Sequence, residues 1–201
     1  MERFFGRVAV VTGSSSGIGK EIVKEMVKRG LTVAGLARNL SNQQKLATEI
    51  LTDPKTFPGK FHPIKCDVMQ EQDIKDAFES IRTNIGEIAI LVNNAGVLGP
   101  YKELTELDNN TFQEIFDTNV KGSWLCVKEA LQSMNHLPIV GHIININSIA
   151  SLHDYQAESF SLYAASKDAL RTISRSLRRQ ILQNKQNIKV TVKKNGFNEP
   201  M

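Results

Sequence analysis

The 201-residue chain has only two cysteines, Cys66 and Cys126, far apart and with no metal-type spacing around them. A lone pair in a chain of this size is no disulfide framework, so both read as reduced thiols, one ending a strand and one inside a helix. The four histidines, His62, His136, His142 and His153, are equally scattered, which leaves a metal site without a ligand cluster. No apolar run is long enough for a membrane span. The N-terminus, Met1-Glu2-Arg3-Phe4-Phe5-Gly6, passes straight into a strand without an apolar leader. Neither a signal peptide nor a membrane anchor is therefore expected, and a reducing, cytoplasmic location is the default. Asn39-Leu40-Ser41 and Asn109-Asn110-Thr111 fit the glycosylation pattern, which carries no meaning without secretion. Charge of one sign is scarce too: 25 Lys and Arg face 21 Asp and Glu, a net charge of +4. An excess this small suits a phosphate-bearing ligand and does not by itself argue for nucleic acid. With no repeat, linker or low-complexity tract, residues 1–201 read as one domain with a real core.

What is present is a strict alternation of short β-branched runs with helical patterns. Arg7 to Val11 is apolar on both faces, as a central parallel strand must be. Ile18, Ile22, Met26 and Val27 recur at helical spacing, and Gly30 is placed to close that helix. Further strands are expected over 31–37, 61–66, 88–92, 142–147 and 188–192, with helices over 40–51, 70–84, about 111–134 and about 161–183. In the long helix over 111–134, Phe112, Ile115, Phe116, Val120, Trp124, Val127 and Leu131 fall on one side, and Leu125 and Ala130 are spare apolar residues on another. In the last helix, Ala165, Ala169, Ile173, Leu177 and Ile181 form an i+4 ladder. Such alternation predicts an α/β fold with a doubly wound parallel sheet.

The first strand runs into Thr12-Gly13-Ser14-Ser15-Ser16-Gly17-Ile18-Gly19. Glycines let a backbone turn tightly and approach a pyrophosphate, and the helix N-terminus behind them supplies free N–H groups and a favourable dipole. The bland alternative is a Gly/Ser loop with no ligand; the strand–loop–helix setting favours binding by Gly13, Ser15, Ser16, Gly17, Ile18 and Gly19. At the end of the second strand an NAD-binding site usually offers an acid to the ribose 2′-hydroxyl. Here the stretch is Gly35-Leu36-Ala37-Arg38-Asn39, with no acid. Arg38 is either a solvated loop arginine or the partner of a 2′-phosphate, and the missing carboxylate favours NADP(H). Asp67, followed by Val68, either accepts from an adenine amino group or caps the next helix.

Ligands of such sheets bind at the carboxyl ends of the strands. The fourth strand ends Asn93-Asn94-Ala95-Gly96 and the fifth Asn147-Ser148, while Tyr163 and Lys167, four apart, share one helical face. A Tyr/Lys pair alone is usually a solvated helix surface. Its order after a phosphate-loop motif, Asn-Asn-Ala-Gly and a strand-end serine is what gives it weight.

The combination Thr-Gly-x-x-x-Gly-x-Gly, Asn-Asn-Ala-Gly, Ser and Tyr-x-x-x-Lys, from about Arg7 to Val192, resembles the short-chain dehydrogenase/reductase family, built on a Rossmann-type domain. Gly141 to Ser148 is most similar to an NADP(H)-preferring subgroup that includes insect farnesol dehydrogenases and dehydrogenase/reductase member 11. The resemblance implies an oxidoreductase moving a hydride between NADP(H) and an alcohol or carbonyl, with apolar substrates such as isoprenoids or steroids. It implies cofactor contacts from Asn94, Ala95 and Gly96, Tyr163 as acid/base, and Ser148 as the donor that orients the substrate oxygen. Lys167 would hold the nicotinamide ribose, and Asn119 would complete a proton relay through water. A free phenol has a pKa of about 10, so a tyrosine working as a base near neutrality needs a nearby cation such as a lysine. Asn119 is otherwise a mid-helix asparagine, a mediocre helix former that commonly faces solvent.

After the sixth strand the chain departs from the pattern. Lys193-Lys194-Asn195-Gly196 stands where a Ser-Pro-Gly turn would be expected, and the family's last strand and substrate lid are absent from the 201 residues. Two expectations follow: a working NADP(H)-dependent oxidoreductase, or a nucleotide-binding fragment of one without turnover. Arg171, Arg175, Arg178, Arg179 and Lys185 along the last helix, without interleaved aromatics, read as a solvated face rather than a nucleic-acid surface. Family members often pair through the two long helices, which leaves a homodimer or homotetramer open.

Overall fold

A computed structural model describes residues 2–152 and 160–195. Six strands, β1 (Val8–Thr12), β2 (Thr32–Ala37), β3 (Lys60–Lys65), β4 (Ile88–Asn93), β5 (Gly141–Ser148) and β6 (Ile188–Asn195), alternate with helices α1 (Gly17–Lys28), α2 (Leu40–Leu51), α3 (Glu71–Asn84), α4 (Asn109–Phe116), α5 (Ser123–Met134) and α6 (Ser161–Gln183). The strands form one sheet in the order β3-β2-β1-β4-β5-β6, and every pairing is parallel. Strand order reverses between β1 and β4, which opens the crevice where such sheets take ligands.

Both faces of the sheet are covered, so consecutive strand residues enter different cores. Val8 and Val10 pack with Ile74, Phe78, Cys126 and Leu177 from α3, α5 and α6. Ala9 and Val11 pack with Val23, Met26, Val27, Leu46 and Ile50 from α1 and α2. Each large aliphatic side chain so buried contributes about 1.5–3 kcal/mol. This accounts for the wholly apolar strands read from the sequence.

The expected long helix over 111–134 is three pieces. α4 passes into a π-helical turn at Asp117–Gly122 and then into α5. The extra residue in that turn shifts the phase of everything after it. Leu125 and Ala130 are therefore core residues at 4% and 0% exposure, whereas Trp124 is 45% exposed. The apolar side read from the sequence is only partly inward: Ile115 and Val127 are buried, Phe112 and Trp124 are exposed, and Phe116, Val120, Trp124 and Leu131 meet Ile173 and Leu177 of α6 around a groove of about 660 Å³. In α6 the i+4 ladder is only partly right. Leu177 and Ile181 are buried, but Ala165 is exposed, and the inner stripe begins with Ser166, Lys167, Leu170 and Ser174. Polar residues occupy that stripe because it passes beneath the candidate site. β6 runs on through Asn195 instead of ending at Val192; His153 and residues 196–201 lie outside the described residues.

Candidate active site

The segment from Gly13 to Ser16 turns β1 into α1 under tight steric control. Gly13 has φ +66°, and a Cβ there would lie 2.9 Å from Ala95 Cα; a Cβ on Gly19 would collide with the Gly13 carbonyl. The α1 N-cap, Ser16, makes no side-chain capping bond, and the first turn carries no acid. Its N–H groups and positive dipole end thus stay available to an anion. The Thr12 hydroxyl accepts from the backbone N–H of Asn94 and of Ala95, both at 3.0 Å. The Asn94 amide donates to the Thr12 carbonyl at 3.0 Å and the Gly13 carbonyl at 3.3 Å. These bonds lock the ends of β1 and β4 together across the crevice.

Beside the loop runs a groove of about 400 Å³. Gly13, Ser15, Ser16, Ile18, Arg38, Asp67, Val68, Asn94, Ala95 and Gly96 all line it. Gly17 and Gly19 shape the turn without lining it. No acid pairs with Arg38 among the described residues. One Asp67 carboxylate oxygen accepts from Met69 N at 3.0 Å, a local turn, and α3 begins later with Gln70 as its N-cap. Cys66 also lines the groove, but burial and the neighbouring Asp73 and Asp67 carboxylates push its thiol up to about 12, so it is inert. A cradle of backbone amides with an arginine beside it fits the phosphates of a dinucleotide.

The groove continues into a second cavity of about 470 Å³ through shared residues Ile18, Asn94, Gly96 and Val97. Ser148, Tyr163 and Lys167 line it together, with Leu98, Ile149, Ala150 and Phe160 as apolar walls. Ser148 closes β5, and its Oγ accepts from Ala150 N at 3.1 Å, which leaves its own proton free for a ligand. Asn147 sets that rim: its side chain accepts from Ser148 N at 2.8 Å and donates to the Lys167 carbonyl at 3.1 Å. Lys167 is 4% exposed, its Nζ donates to the Ile146 carbonyl at 3.1 Å, and it lies 5.6 Å from the Tyr163 ring centroid. Burial pushes its ammonium down to about 8.

Asn119 sits in the π-helical turn and is fully buried, not solvent-facing. Its Oδ1 accepts from Val97 N at 2.8 Å, and its Nδ2 donates to the Val97 carbonyl at 2.9 Å and to Ser166 Oγ at 3.0 Å. Ser166 Oγ in turn donates to the Tyr163 carbonyl at 2.7 Å. The amide is thus spent on holding the exit of β4 and the start of α6. It remains close to Lys167: a Cβ on Gly96 would lie 3.2 Å from Asn119 Oδ1 and 3.3 Å from Lys167 Nζ. The structure therefore brings the sequence-proposed residues to the walls of one crevice, except Gly17, Gly19 and Asn119, which line neither cavity. Thr12, Ser14, Gln43, Asn147 and Ser166, which support it, were missed. No sequence signal singled out Gln43 or Ser166, because a polar residue on a helix reads as solvated.

A family model described as short chain dehydrogenase matches residues 7–199. The farnesol dehydrogenase of Aedes aegypti is 37% identical over 191 residues, which cover 95% of this chain and 77% of that protein. Dehydrogenase/reductase SDR family member 11 of Mus musculus is 35% identical over 192 residues, 95% of this chain and 73% of that one. Among solved structures, a short chain dehydrogenase/reductase from Burkholderia phymatum in complex with NAD superposes with a TM-score of 0.90 at 23% identity. It covers 98% of this chain and 68% of that one, and shows the shared fold.

Proposed function

This chain belongs to the short chain dehydrogenase family, and from that premise we propose that it is an NADP(H)-dependent oxidoreductase of apolar alcohols and carbonyls. The observation that carries the reading is the continuity of two cavities, one walled by the phosphate loop and Arg38, the other by Ser148, Tyr163 and Lys167. When bound, the nicotinamide supplies or accepts the hydride; the protein positions it and manages the proton. Tyr163 gives its hydroxyl proton to the substrate oxygen in reduction and takes it back in oxidation. Ser148 donates a second hydrogen bond to the same oxygen, holding it in register. The Lys167 ammonium, 5.6 Å from the Tyr163 ring centroid, binds the nicotinamide ribose. Asn119, beside Lys167, flanks the water path by which the proton is replaced. Leu98, Ile149 and Phe160 give the substrate end an apolar wall, suited to the isoprenoid or steroid class. The name of the Aedes aegypti relative, a farnesol dehydrogenase, lies in the same direction.

Arg38 is the basis for NADP(H) over NAD(H), through a bidentate pairing with the 2′-phosphate. Steady-state oxidation of farnesol and of a hydroxysteroid with each cofactor tests both parts of the reading. Turnover is expected with NADP+, and Arg38→Ala raises the KM for NADP+ by about tenfold or more while leaving that for NAD+ little changed. Equal use of both cofactors by the wild type overturns the NADP(H) assignment. Cofactor binding without turnover of any alcohol or ketone leaves only a nucleotide-binding chain. The groove between α5 and α6, with Trp124 exposed on it, is the surface we assign to pairing with a second copy; a monomer by light scattering removes that assignment.

A further inference from the structure

α2 turns one stripe of residues inward: Gln43, Leu46 and Ile50. Gln43 is the polar member, and it is fully buried at 0% exposure. An amide in such a place costs several kcal/mol unless its donors and acceptor are matched. They are matched by three different segments. Gln43 Oε1 accepts from the Ser14 hydroxyl at 2.7 Å, and Nε2 donates to the Ile64 carbonyl at 3.0 Å and, at the limit of 3.5 Å, to the Ala37 carbonyl. Ser14 is itself 0% exposed. Room for the pair comes from Gly35, where a Cβ would lie 2.7 Å from Ser14 Oγ and 2.8 Å from Gln43 Oε1.

Each tethered segment leads directly into the nucleotide groove. Ser14 belongs to the phosphate loop, whose Gly13 N–H also donates to the Leu36 carbonyl at 2.8 Å. Ala37 precedes Arg38, and Ile64 lies just before Cys66, Asp67 and Val68. Gln43 does not line the groove, yet it joins the three walls of its adenosine end. We propose that Gln43, with Ser14 as partner, is a positioning residue of the cofactor site, fixing the distance between the phosphate loop and the strand ends that hold the adenosine ribose and its 2′-phosphate. The proposal rests on the dinucleotide reading above.

The test compares the two halves of the cofactor. Gln43→Met keeps the volume and removes every hydrogen bond. The dissociation constants for NADPH and for adenosine 2′,5′-bisphosphate are expected to rise about tenfold, the loss of one or two good hydrogen bonds in holding the site. That for reduced nicotinamide mononucleotide is expected to stay within about twofold, since its walls lie across the crevice. The double variant Ser14→Ala/Gln43→Met also removes the hydroxyl left without its acceptor. It should recover thermal stability while keeping the affinity loss, a split that a merely structural role does not produce. If Gln43→Met does not fold, Ser14→Ala alone, which deletes one oxygen, carries the comparison with a several-fold loss for the bisphosphate. Unchanged bisphosphate affinity in the variants, or equal weakening of both halves, overturns the proposal. A wild-type chain that binds no NADPH removes the dinucleotide reading and this inference with it. Binding by the wild type with unaltered variants removes this inference alone.

Discussion

An ammonium buried as deeply as that of Lys167 works against the fold that holds it. Its folded-state pKa of about 8 lies below the ordinary 10.5. Between those values the unfolded chain keeps the proton and the folded chain has lost it. The sign is that of a depressed base: stability rises with pH across that window, by on the order of 3 kcal/mol. Below pH 8 the full penalty is present. Lys167→Met, which removes the charge and keeps the stem, should therefore raise the thermal midpoint at pH 7 and abolish the rise between pH 8 and 10, while turnover collapses. Denaturant melts over that pH range check it; a midpoint lowered at pH 7 would mean that the bond to the Ile146 carbonyl outweighs desolvation. On the proposed mechanism, Tyr163→Phe isolates the proton transfer itself. The ring and its packing stay and the hydroxyl goes, so turnover should drop roughly 10²–10⁴-fold. A melt on the same sample separates lost chemistry from lost fold.

At the scale of elements, the passage between α4 and α5 decides which side chains face the site. The π-helical turn at Asp117–Gly122 draws Asn119 inward onto Val97 and Ser166, and Gly122 is what permits the close approach. A Cβ on Gly122 would come 2.6 Å from the Val68 carbonyl and 3.0 Å from Val68 Cβ. Gly122→Ala should thus cost about 1–3 kcal/mol as overpacking and weaken NADPH as well, because Val68 walls the groove. Calorimetry and a cofactor titration read the two effects, and an unaltered affinity would uncouple the turn from the site. This is also where sequence reading reached its limit. The bounds of α2 and α6 were legible, α2 because propensity and the Asn39 cap agree there, α6 from its long helical periodicity alone. A helical wheel assumes a constant period, so one inserted residue left Trp124, grouped with the apolar side, exposed and Leu125, read as spare, in the core. Gln43 and Ser166 escaped for a related reason: a polar residue on a helix reads as solvated, and only the tertiary partners Ser14 and Asn119 reveal otherwise.

At the scale of the whole molecule, the site residues that were legible are those whose role depends on order along the chain and on strand ends, which a doubly wound sheet converts into position. The phosphate loop follows β1, Arg38 follows β2, Asp67 follows β3, Asn94 follows β4 and Ser148 closes β5, so all five meet on one rim. A ligand spanning that rim touches both halves of the sheet across the switch point between β1 and β4. Among described residues, those halves are joined there by pairing of β1 with β4 and by the bonds of Thr12 with Asn94 and Ala95. Dinucleotide binding should accordingly stabilise the molecule as one unit rather than one edge of it. At about 100 times its dissociation constant a ligand adds roughly 2.7 kcal/mol, which for a chain of this size corresponds to about 5–10 °C in thermal midpoint. A single cooperative transition that moves by that amount with NADPH, and by less with NADH at the same concentration, is the expected result. A transition that splits, with only the part reporting on β1 to β3 responding, would show instead that the adenosine half binds alone and that the reacting cavity is not engaged.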